Sequence, residues 1–248
     1  MWNWRSLINI FSKTKKEDKE GKQDTFINTN FDVIGENNII NNEDAMFEDT
    51  KFQIQGNNNC LDMKTSTFKN INLTILGNGN TVKIDAESLI SNLTVFIRGD
   101  NHKLILGKCI INAGVFWYED NNCKITIGKG TTIENAGLVV MEDYTEITIG
   151  EDCMFSHDIT IRTSDSHSII DNLTQERINP PQNVCIGNHV WIGAYCSILK
   201  GAFIGNDSII GIHSIVNNSF ANNTLIVGNP AKIVKHDITW NRERLKVN

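Results

Sequence analysis

The chain has 248 residues, of which 40% are hydrophobic, and a formal net charge of −6 at pH 7. This length fits one domain with a continuous core, and the acidic balance excludes the basic surface that nucleic-acid binding needs. No secretory leader or apolar membrane span is visible, so we expect a cytoplasmic protein. The six cysteines form no Cys-x-x-Cys pair and are predicted to be reduced, small buried residues.

Residues 1–24 are predicted to form an arm that is separate from the folded domain. Apolar residues near its start, including Trp2, Trp4 and Phe11, precede a charged run over 13–22. Tryptophan beside lysine suits a membrane interface, whereas charges of mixed sign suit a solvated arm. Two interpretations stay open: an arm in solvent, and a surface segment that brings the protein to the inner membrane.

A loose repeat runs from about residue 30 to about residue 165. Its corners are rich in asparagine, recur every 20 to 22 residues and begin at Gly35, Gly56, Gly77, Gly99 and Glu119. Short apolar segments between the corners are typical of strands. Asparagine, aspartate and glycine tolerate left-handed backbone angles and form local hydrogen bonds. We therefore expect these corners to be structural and to bond to one another between stacked coils.

A strict repeat of six residues follows over 184–216. An aliphatic residue recurs at Ile186, Ile192, Ile198, Ile204, Ile210 and Val216. A period of six does not match the 3.6 residues per turn of an α-helix, but it matches short strands separated by tight corners. Three such sides close a triangular coil, and stacked coils form a parallel β-helix. We expect this all-β domain to cover residues 25–236.

The hexads are interrupted once, over residues 163–183. This polar segment ends in Pro180-Pro181, and a long excursion from a regular solenoid is usually functional. It contains His167, whose neutral imidazole can take a proton from a hydroxyl group. Asp165 is predicted to accept a hydrogen bond from the other ring nitrogen, although a backbone carbonyl is an equal candidate for that role.

The last residues, 237–248, are predicted to cap the open end of the solenoid. The stretch Asp237–Leu245 has the length of a short helix. A cap is expected because an exposed solenoid end invites pairing with another strand edge.

Three motifs together resemble the bacterial hexapeptide-repeat O-acetyltransferases: His167, Trp191 within Val190-Trp-Ile-Gly-Ala, and Gly228-Asn-Pro-Ala-Lys. The resemblance covers about residues 125–236 and is closest in character to enzymes that acetylate capsular polysaccharide or lipopolysaccharide, such as polysialic acid. It implies a left-handed parallel β-helix in which His167 is the general base. It also implies that Trp191 lines the site in which the oxyanion forms.

The same resemblance implies acetyl-CoA as co-substrate, without a metal. It assigns the coenzyme to Ala194, Ile212, Asn217, Asn218, Lys232 and Lys235. The family often has Thr-Lys where this chain has Asn217-Asn218, so the family's side-chain contact has no direct counterpart at these two coenzyme positions. Members of the family are homotrimers with active sites between subunits, and the same assembly is expected here.

The sequence leaves two alternatives to a polysaccharide O-acetyltransferase open and argues against two others. A small acceptor (a mono- or disaccharide, serine or an amino sugar) stays open, as does a non-catalytic solenoid that serves as a binding scaffold. A zinc enzyme of carbonic-anhydrase type needs two histidines five residues apart, which the spacing of His157, His167, His189 and His213 does not provide. A sugar-nucleotide transferase needs a glycine-rich phosphate loop, and the N-terminal half has only solenoid corners.

Overall fold

The computed structural model describes residues 26–246. The predicted arm over residues 1–24 lies outside these residues, as do residues 247 and 248. Within the described part every regular element is a β-strand. No helix in the described range is long and apolar enough to span a membrane.

The strands are short and follow one another closely. The first ten are Phe26–Ile27 (β1), Asn30–Ile34 (β2), Ile39–Asn41 (β3), Met46–Glu48 (β4), Lys51–Gln55 (β5), Cys60–Met63 (β6), Thr67–Lys69 (β7), Asn72–Leu76 (β8), Thr81–Ile84 (β9) and Leu89–Ser91 (β10). The next ten are Leu93–Arg98 (β11), Lys103–Leu106 (β12), Ile110–Ile111 (β13), Gly114–Tyr118 (β14), Lys124–Ile127 (β15), Thr132–Ile133 (β16), Ala136–Val140 (β17), Glu146–Ile149 (β18), Met154–Phe155 (β19) and Ile159–Arg162 (β20). The last nine are Val184–Ile186 (β21), Trp191–Ile192 (β22), Ser197–Ile198 (β23), Phe203–Ile204 (β24), Ile209–Ile210 (β25), Ile215–Val216 (β26), Ser219–Phe220 (β27), Leu225–Val227 (β28) and Lys232–Lys235 (β29).

Every third strand belongs to the same sheet, so each coil contributes one strand to each of three sheets. Sheet A contains β1, β4, β7, β10, β13, β16, β19, β22, β25, β28 and β29; sheet B contains β2, β5, β8, β11, β14, β17, β20, β23 and β26; sheet C contains β3, β6, β9, β12, β15, β18, β21, β24 and β27. The pairings are parallel except that of β28 with β29. This is the predicted parallel β-helix, a triangular prism of stacked coils.

The core is a set of columns in which one inward side chain of each coil lies on that of the next. In sheet B, Leu73, Val95, Phe116, Leu138 and Ile161 occupy the same register position in successive coils and are all buried. Alternate residues of each strand point outward, as the two-residue period of a strand requires. All six cysteines are free; Cys109, Cys123, Cys153 and Cys196 are buried as predicted, whereas Cys60 and Cys185 are half-buried. Burial raises the pKa of Cys109 to about 12.

Hydrogen bonds also join the coils at the corner between sheets B and C, in a column that we call the corner ladder. Its members are Asn38, Asn59, Asn80, His102, Cys123, Thr145 and Thr163. The Oδ1 atom of Asn59 accepts from the backbone N–H of Asn80 at 3.0 Å, and that of Asn80 accepts from the N–H of His102 at 2.8 Å. The expectation that stacked asparagines bond between coils is confirmed.

The predicted C-terminal helix is wrong. Strand β29 turns back antiparallel along β28 and covers the edge of sheet A, and residues 236–246 contain no regular element. The chain then packs on the prism: Trp240 Nε1 donates to His189 O at 2.7 Å, and Arg242 donates to Thr132 Oγ1 and Cys153 O, both at 2.9 Å. These contacts with successive coils need an extended path, which a helix would shorten.

Candidate active site

The segment that interrupts the hexads is a loop over residues 163–183 between β20 and β21, which we call the His167 loop. The loop leaves the prism at the last member of the corner ladder, Thr163. There Thr163 Oγ1 donates to Thr145 Oγ1 at 3.1 Å. It rejoins the coil at Asn183, whose Oδ1 accepts from the N–H of Glu146 at 2.9 Å. Inside the loop, Ile170 and Arg177 form an isolated antiparallel bridge.

An ion pair attaches the returning limb of the loop to the coil below. The Arg177 guanidinium donates to both carboxylate oxygens of Glu142, at 2.5 and 2.8 Å. The same carboxylate accepts from Ser164 Oγ at 2.6 Å, at the start of the loop. These donors, Arg177 foremost, lower the pKa of Glu142 below its ordinary value. The carboxylate of Glu142 therefore ties the two ends of the loop to one point.

A second ion pair attaches the loop to the coil above. Lys200 Nζ donates to Asp165 Oδ2 at 2.6 Å, and Asn179 Nδ2 donates to the same oxygen at 2.8 Å. These two bonds, that of Lys200 first, lower the pKa of Asp165. The predicted bond from Asp165 to the His167 ring is absent from the described contacts, because the Asp165 carboxylate is bound by Lys200 and Asn179. The expectation that Asp165 orients the His167 ring is therefore not met within the single chain.

His167 is exposed at the outer part of the loop. Its carbonyl oxygen accepts from Asn179 Nδ2 at 2.8 Å. Within residues 26–246 no hydrogen bond reaches the imidazole ring in the single chain. An imidazole presented in this way can accept a proton from a bound hydroxyl group, provided that a second surface completes the pocket.

Trp191 lies on another side of the prism. It is an outward residue of β22 in sheet A, with 39% of its surface exposed, and its ring centroid is 6.3 Å from that of Trp240. The corner between sheets B and C, where the His167 loop is anchored, lies across the coil from sheet A. One chain therefore does not bring His167 and Trp191 together.

The residues predicted for the coenzyme are also separated in the structure: they lie at two corners of the prism and on β29. Ala194 and Ile212 lie at the corner between sheets A and B in successive coils, where Ala194 O accepts from the N–H of His213 at 3.0 Å. Ala194 is buried and Ile212 is 61% exposed. In the coil above, the Gly228 carbonyl accepts from the N–H of Ile215 at 2.9 Å. These positions form one column along the prism edge.

The other predicted coenzyme residues lie away from that column. Asn217 and Asn218 follow β26 at the corner between sheets B and C, and Asn218 Nδ2 donates to Asn217 Oδ1 at 3.2 Å. Lys232 and Lys235 are exposed residues of β29, at the top edge of sheet A. Ala194 and Ile212 thus share one edge of the prism, whereas the asparagine pair lies at another edge and the lysines lie on β29.

Sequence reasoning missed the polar residues that anchor the His167 loop: Glu142, Arg177, Asn179 and Lys200. They lie 21 to 35 residues from their partners or within an irregular segment, so no periodic pattern marks them. A column of rings at the edge between sheets A and B was also missed, in which Tyr195 and His213 stack with centroids 4.8 Å apart. Among the described residues no cluster of histidine, cysteine, aspartate or glutamate could hold a metal ion.

No protein-family model matches the chain, but individual proteins are similar to it in sequence. The polysialic acid O-acetyltransferase of Neisseria meningitidis is 37% identical over 164 residues, which cover 66% of this chain and 76% of that protein. The polysialic acid O-acetyltransferase of Escherichia coli O1:K1 / APEC is 39% identical over 119 residues, 48% of this chain but only 38% of that protein.

Solved structures agree with the relatives. The polySia-specific acetyltransferase NeuO superposes with a TM-score of 0.69 at 33% identity, covering 89% of this chain and 91% of NeuO. The chain therefore belongs to the hexapeptide-repeat O-acetyltransferases, and its fold is the left-handed parallel β-helix of that family. The resemblance stated from His167, Trp191 and the Gly228-Asn-Pro-Ala-Lys motif is confirmed at the level of family and fold.

Proposed function

We propose that this chain transfers the acetyl group of acetyl-CoA to a hydroxyl group of an acidic capsular glycan of the polysialic acid type. The observation that supports it best is the exposed imidazole of His167, presented on a loop that is fastened to the coils on both sides. The family of the chain and the acceptors named for its relatives support the choice of chemistry and of glycan.

The proposed reaction is a direct transfer within a ternary complex. His167 removes the proton of the acceptor hydroxyl as its oxygen attacks the thioester carbonyl carbon of acetyl-CoA. The new C–O bond forms, the C–S bond breaks, and the proton held by the imidazole passes to the departing thiolate of coenzyme A. The oxyanion that forms in between is stabilised by donors in a dry pocket, where Trp191 is proposed to lie. The carboxylate of Asp165 takes no part in these proton transfers, since Lys200 holds it.

We propose that the functional unit is a homotrimer in which His167 of one subunit meets the sheet A surface of the next. The opposite placement of His167 and Trp191 in the single chain supports this assembly. So does the apolar surface of the loop, where Ile169, Ile170, Leu173 and Ile178 are 54%, 47%, 93% and 58% exposed. Apolar side chains grouped in this way are typical of a contact surface. The proposed place of action is the cytoplasm, where acetyl-CoA is available.

The acceptor is tested by offering the purified full chain acetyl-CoA with a panel of acceptors and measuring thiol release and acetylated product by mass spectrometry. The panel contains polysialic acid, short sialic acid oligomers, sialic acid monomer, a β-galactoside, maltose and serine. We expect turnover to be highest with the polymer. Turnover highest with a monosaccharide, disaccharide or serine would replace the polymer by a small acceptor. Absence of turnover with every acceptor, together with glycan binding, would favour a scaffold.

The shared site is tested by mixing subunits. His167→Ala and Trp191→Ala chains are each expected to be inactive, and we expect equal amounts, unfolded and refolded together, to regain about one quarter of the wild-type activity. That fraction is the share of trimer interfaces that receive an intact His167 and an intact Trp191 from neighbouring subunits. Refolded mixtures that stay inactive, while each variant alone forms trimers, would contradict a site between subunits.

A further inference from the structure

The Asn179 side chain forms hydrogen bonds with four residues of the His167 loop. Its Nδ2 atom donates to Asp165 Oδ2 and to His167 O, both at 2.8 Å, and its Oδ1 atom accepts from the N–H of Ile169 at 2.7 Å. Oδ1 also accepts from Arg177 Nε at 3.2 Å. Both amide protons and both acceptor positions of this side chain are thus used. Asn179 is only 7% exposed, whereas residues 165–170 around it are exposed.

The pattern of these bonds is specific to the segment that presents the imidazole. Asn179 contacts alternate residues: it bonds to the side chain of Asp165 and to the backbone of His167 and Ile169. It therefore holds the backbone at and just after His167. The main chain of Asn179 is fixed in turn, because its carbonyl accepts from Lys200 Nζ and from an Arg177 terminal nitrogen, both at 3.1 Å. Lys200 and Arg177 connect it to the coils above and below.

We propose that Asn179 is a positioning residue that holds the backbone of His167 and so aims the imidazole at the acceptor hydroxyl. This inference rests on the proposed role of His167 as general base. Its physical basis is that a general base must lie within hydrogen-bond reach of the proton that it removes, and that displacement by about 1 Å can cost a hundredfold in rate. The loop contains only one isolated bridge, between Ile170 and Arg177, and among the described bonds that of Asn179 Nδ2 is the one that reaches the His167 carbonyl.

The decisive comparison is between Asn179→Ala and Asn172→Ala. Asn172 lies in the same loop and is exposed, and no hydrogen bond of its side chain is present in the described structure. We expect Asn179→Ala to lower kcat by about thirtyfold to a hundredfold, with the KM for acetyl-CoA changed less than about twofold and the unfolding midpoint kept. Asn172→Ala should match the wild type. Equal kcat in all three proteins, or a kcat loss that only follows a loss of global stability, would overturn the inference.

A pair of substitutions separates the bond to His167 from the bond to Asp165. Asn179→Asp removes both donated hydrogen bonds without changing side-chain size. Adding Asp165→Asn restores the bond between positions 165 and 179 with its donor reversed, but it leaves His167 O without a donor. We expect the double variant to stay as slow as Asn179→Ala. Recovery of wild-type kcat in the double variant would show that the bond to the His167 carbonyl is not needed.

Hydrogen exchange tests the positioning itself, even if no acceptor is found. The N–H of Ile169 is bonded to Asn179 Oδ1, so peptides that cover residues 165–170 should exchange faster in Asn179→Ala and not in Asn172→Ala. Unchanged exchange would overturn the inference whatever the activity. A wild-type chain without acetyl transfer, combined with faster exchange in Asn179→Ala, would instead leave Asn179 as the anchor of the loop and refute the proposed function.

Discussion

The His167 loop and the corner ladder meet at Thr163 and are built in different ways. In the ladder, each member bonds to the member in the coil below it, and from Asn59 to Thr163 every member is buried. In the loop, each contact occurs once: Glu142 with Arg177, Asp165 with Lys200, and Asn179 with its neighbours. The repeated contacts join one coil to the next, whereas the unique contacts hold the loop that carries His167. Substitutions in the two regions should therefore change different measurements.

The largest effect on stability is expected for Gly99→Ala, at the same corner as the ladder residue His102. Gly99 has a φ of +118°, and a Cβ atom there would overlap the carbonyl oxygen of Asp120 in the next coil. Neither the backbone angle nor the spacing of the coils can accommodate a methyl group. We expect the free energy of unfolding in urea to fall by about 3 kcal/mol or more. Near-wild-type stability would show that the coils at this corner are not tightly stacked.

A matched pair of leucines compares the core with the loop directly. Leu73 is 3% exposed in β8, and Leu173 is 93% exposed at the tip of the His167 loop. We expect Leu73→Ala to cost about 2–4 kcal/mol in urea unfolding of the dissociated single chain, and Leu173→Ala, whose side chain is proposed to contact a neighbouring subunit, to cost less than about 0.5 kcal/mol there. Equal costs for the two would remove the distinction between a stabilising solenoid and a loop devoted to the site.

The smallest effect is a dependence of stability on pH, located in the ladder. Burial lowers the pKa of His102 below its ordinary value of 6.5, and the ring donates from Nε2 to the carbonyls of Arg98 and Asp120 at 3.2 and 3.0 Å. The unfolded chain therefore takes up the proton more readily. The stabilisation is complete above the ordinary histidine pKa and is lost as the pH falls from there toward the lowered value in the folded state.

His102→Asn tests this dependence, because asparagine is the residue that the ladder uses at Asn59 and Asn80. Its Oδ1 can accept from the N–H of Cys123, as the imidazole Nδ1 does at 3.1 Å. We expect the unfolding midpoint of the wild type to fall more than that of the variant between pH 7.5 and pH 5. Parallel curves for the two proteins would mean that His102 is not the group that titrates.

The periodic parts of the fold could be predicted from the sequence. The irregular parts could not. The aliphatic residue at every sixth position and the asparagine at every corner mark contacts between neighbouring coils, which recur at intervals of 18 to 22 residues. The bonds of Lys200 to Asp165 and of Arg177 to Glu142 each span 35 residues and involve the loop, so they follow no period of the coils. Proximity to His167 in the sequence suggested a bond for Asp165 that the nearby Lys200 prevents.

The C-terminal segment illustrates the same limit. Residues 237–245 have a composition that permits a helix, but Trp240 and Arg242 find partners in coils formed far earlier in the chain. Such partners lie 51 and 110 residues away, so only the folded prism reveals them. The loop that carries His167, by contrast, could be predicted from the sequence, because the periodic pattern stops there; the role of His167 as general base stays a prediction.

The most direct test of the division between loop and ladder is His167→Ala, assayed for acetyl transfer to polysialic acid and for thermal unfolding in the same preparation. We expect turnover to fall by about 10²- to 10⁴-fold, as for loss of a general base, with acetyl-CoA binding retained and the unfolding midpoint unchanged. The imidazole is exposed and its ring makes no hydrogen bond within the described residues, so its removal should not weaken the fold. Unimpaired acetyl transfer by His167→Ala would contradict the mechanism.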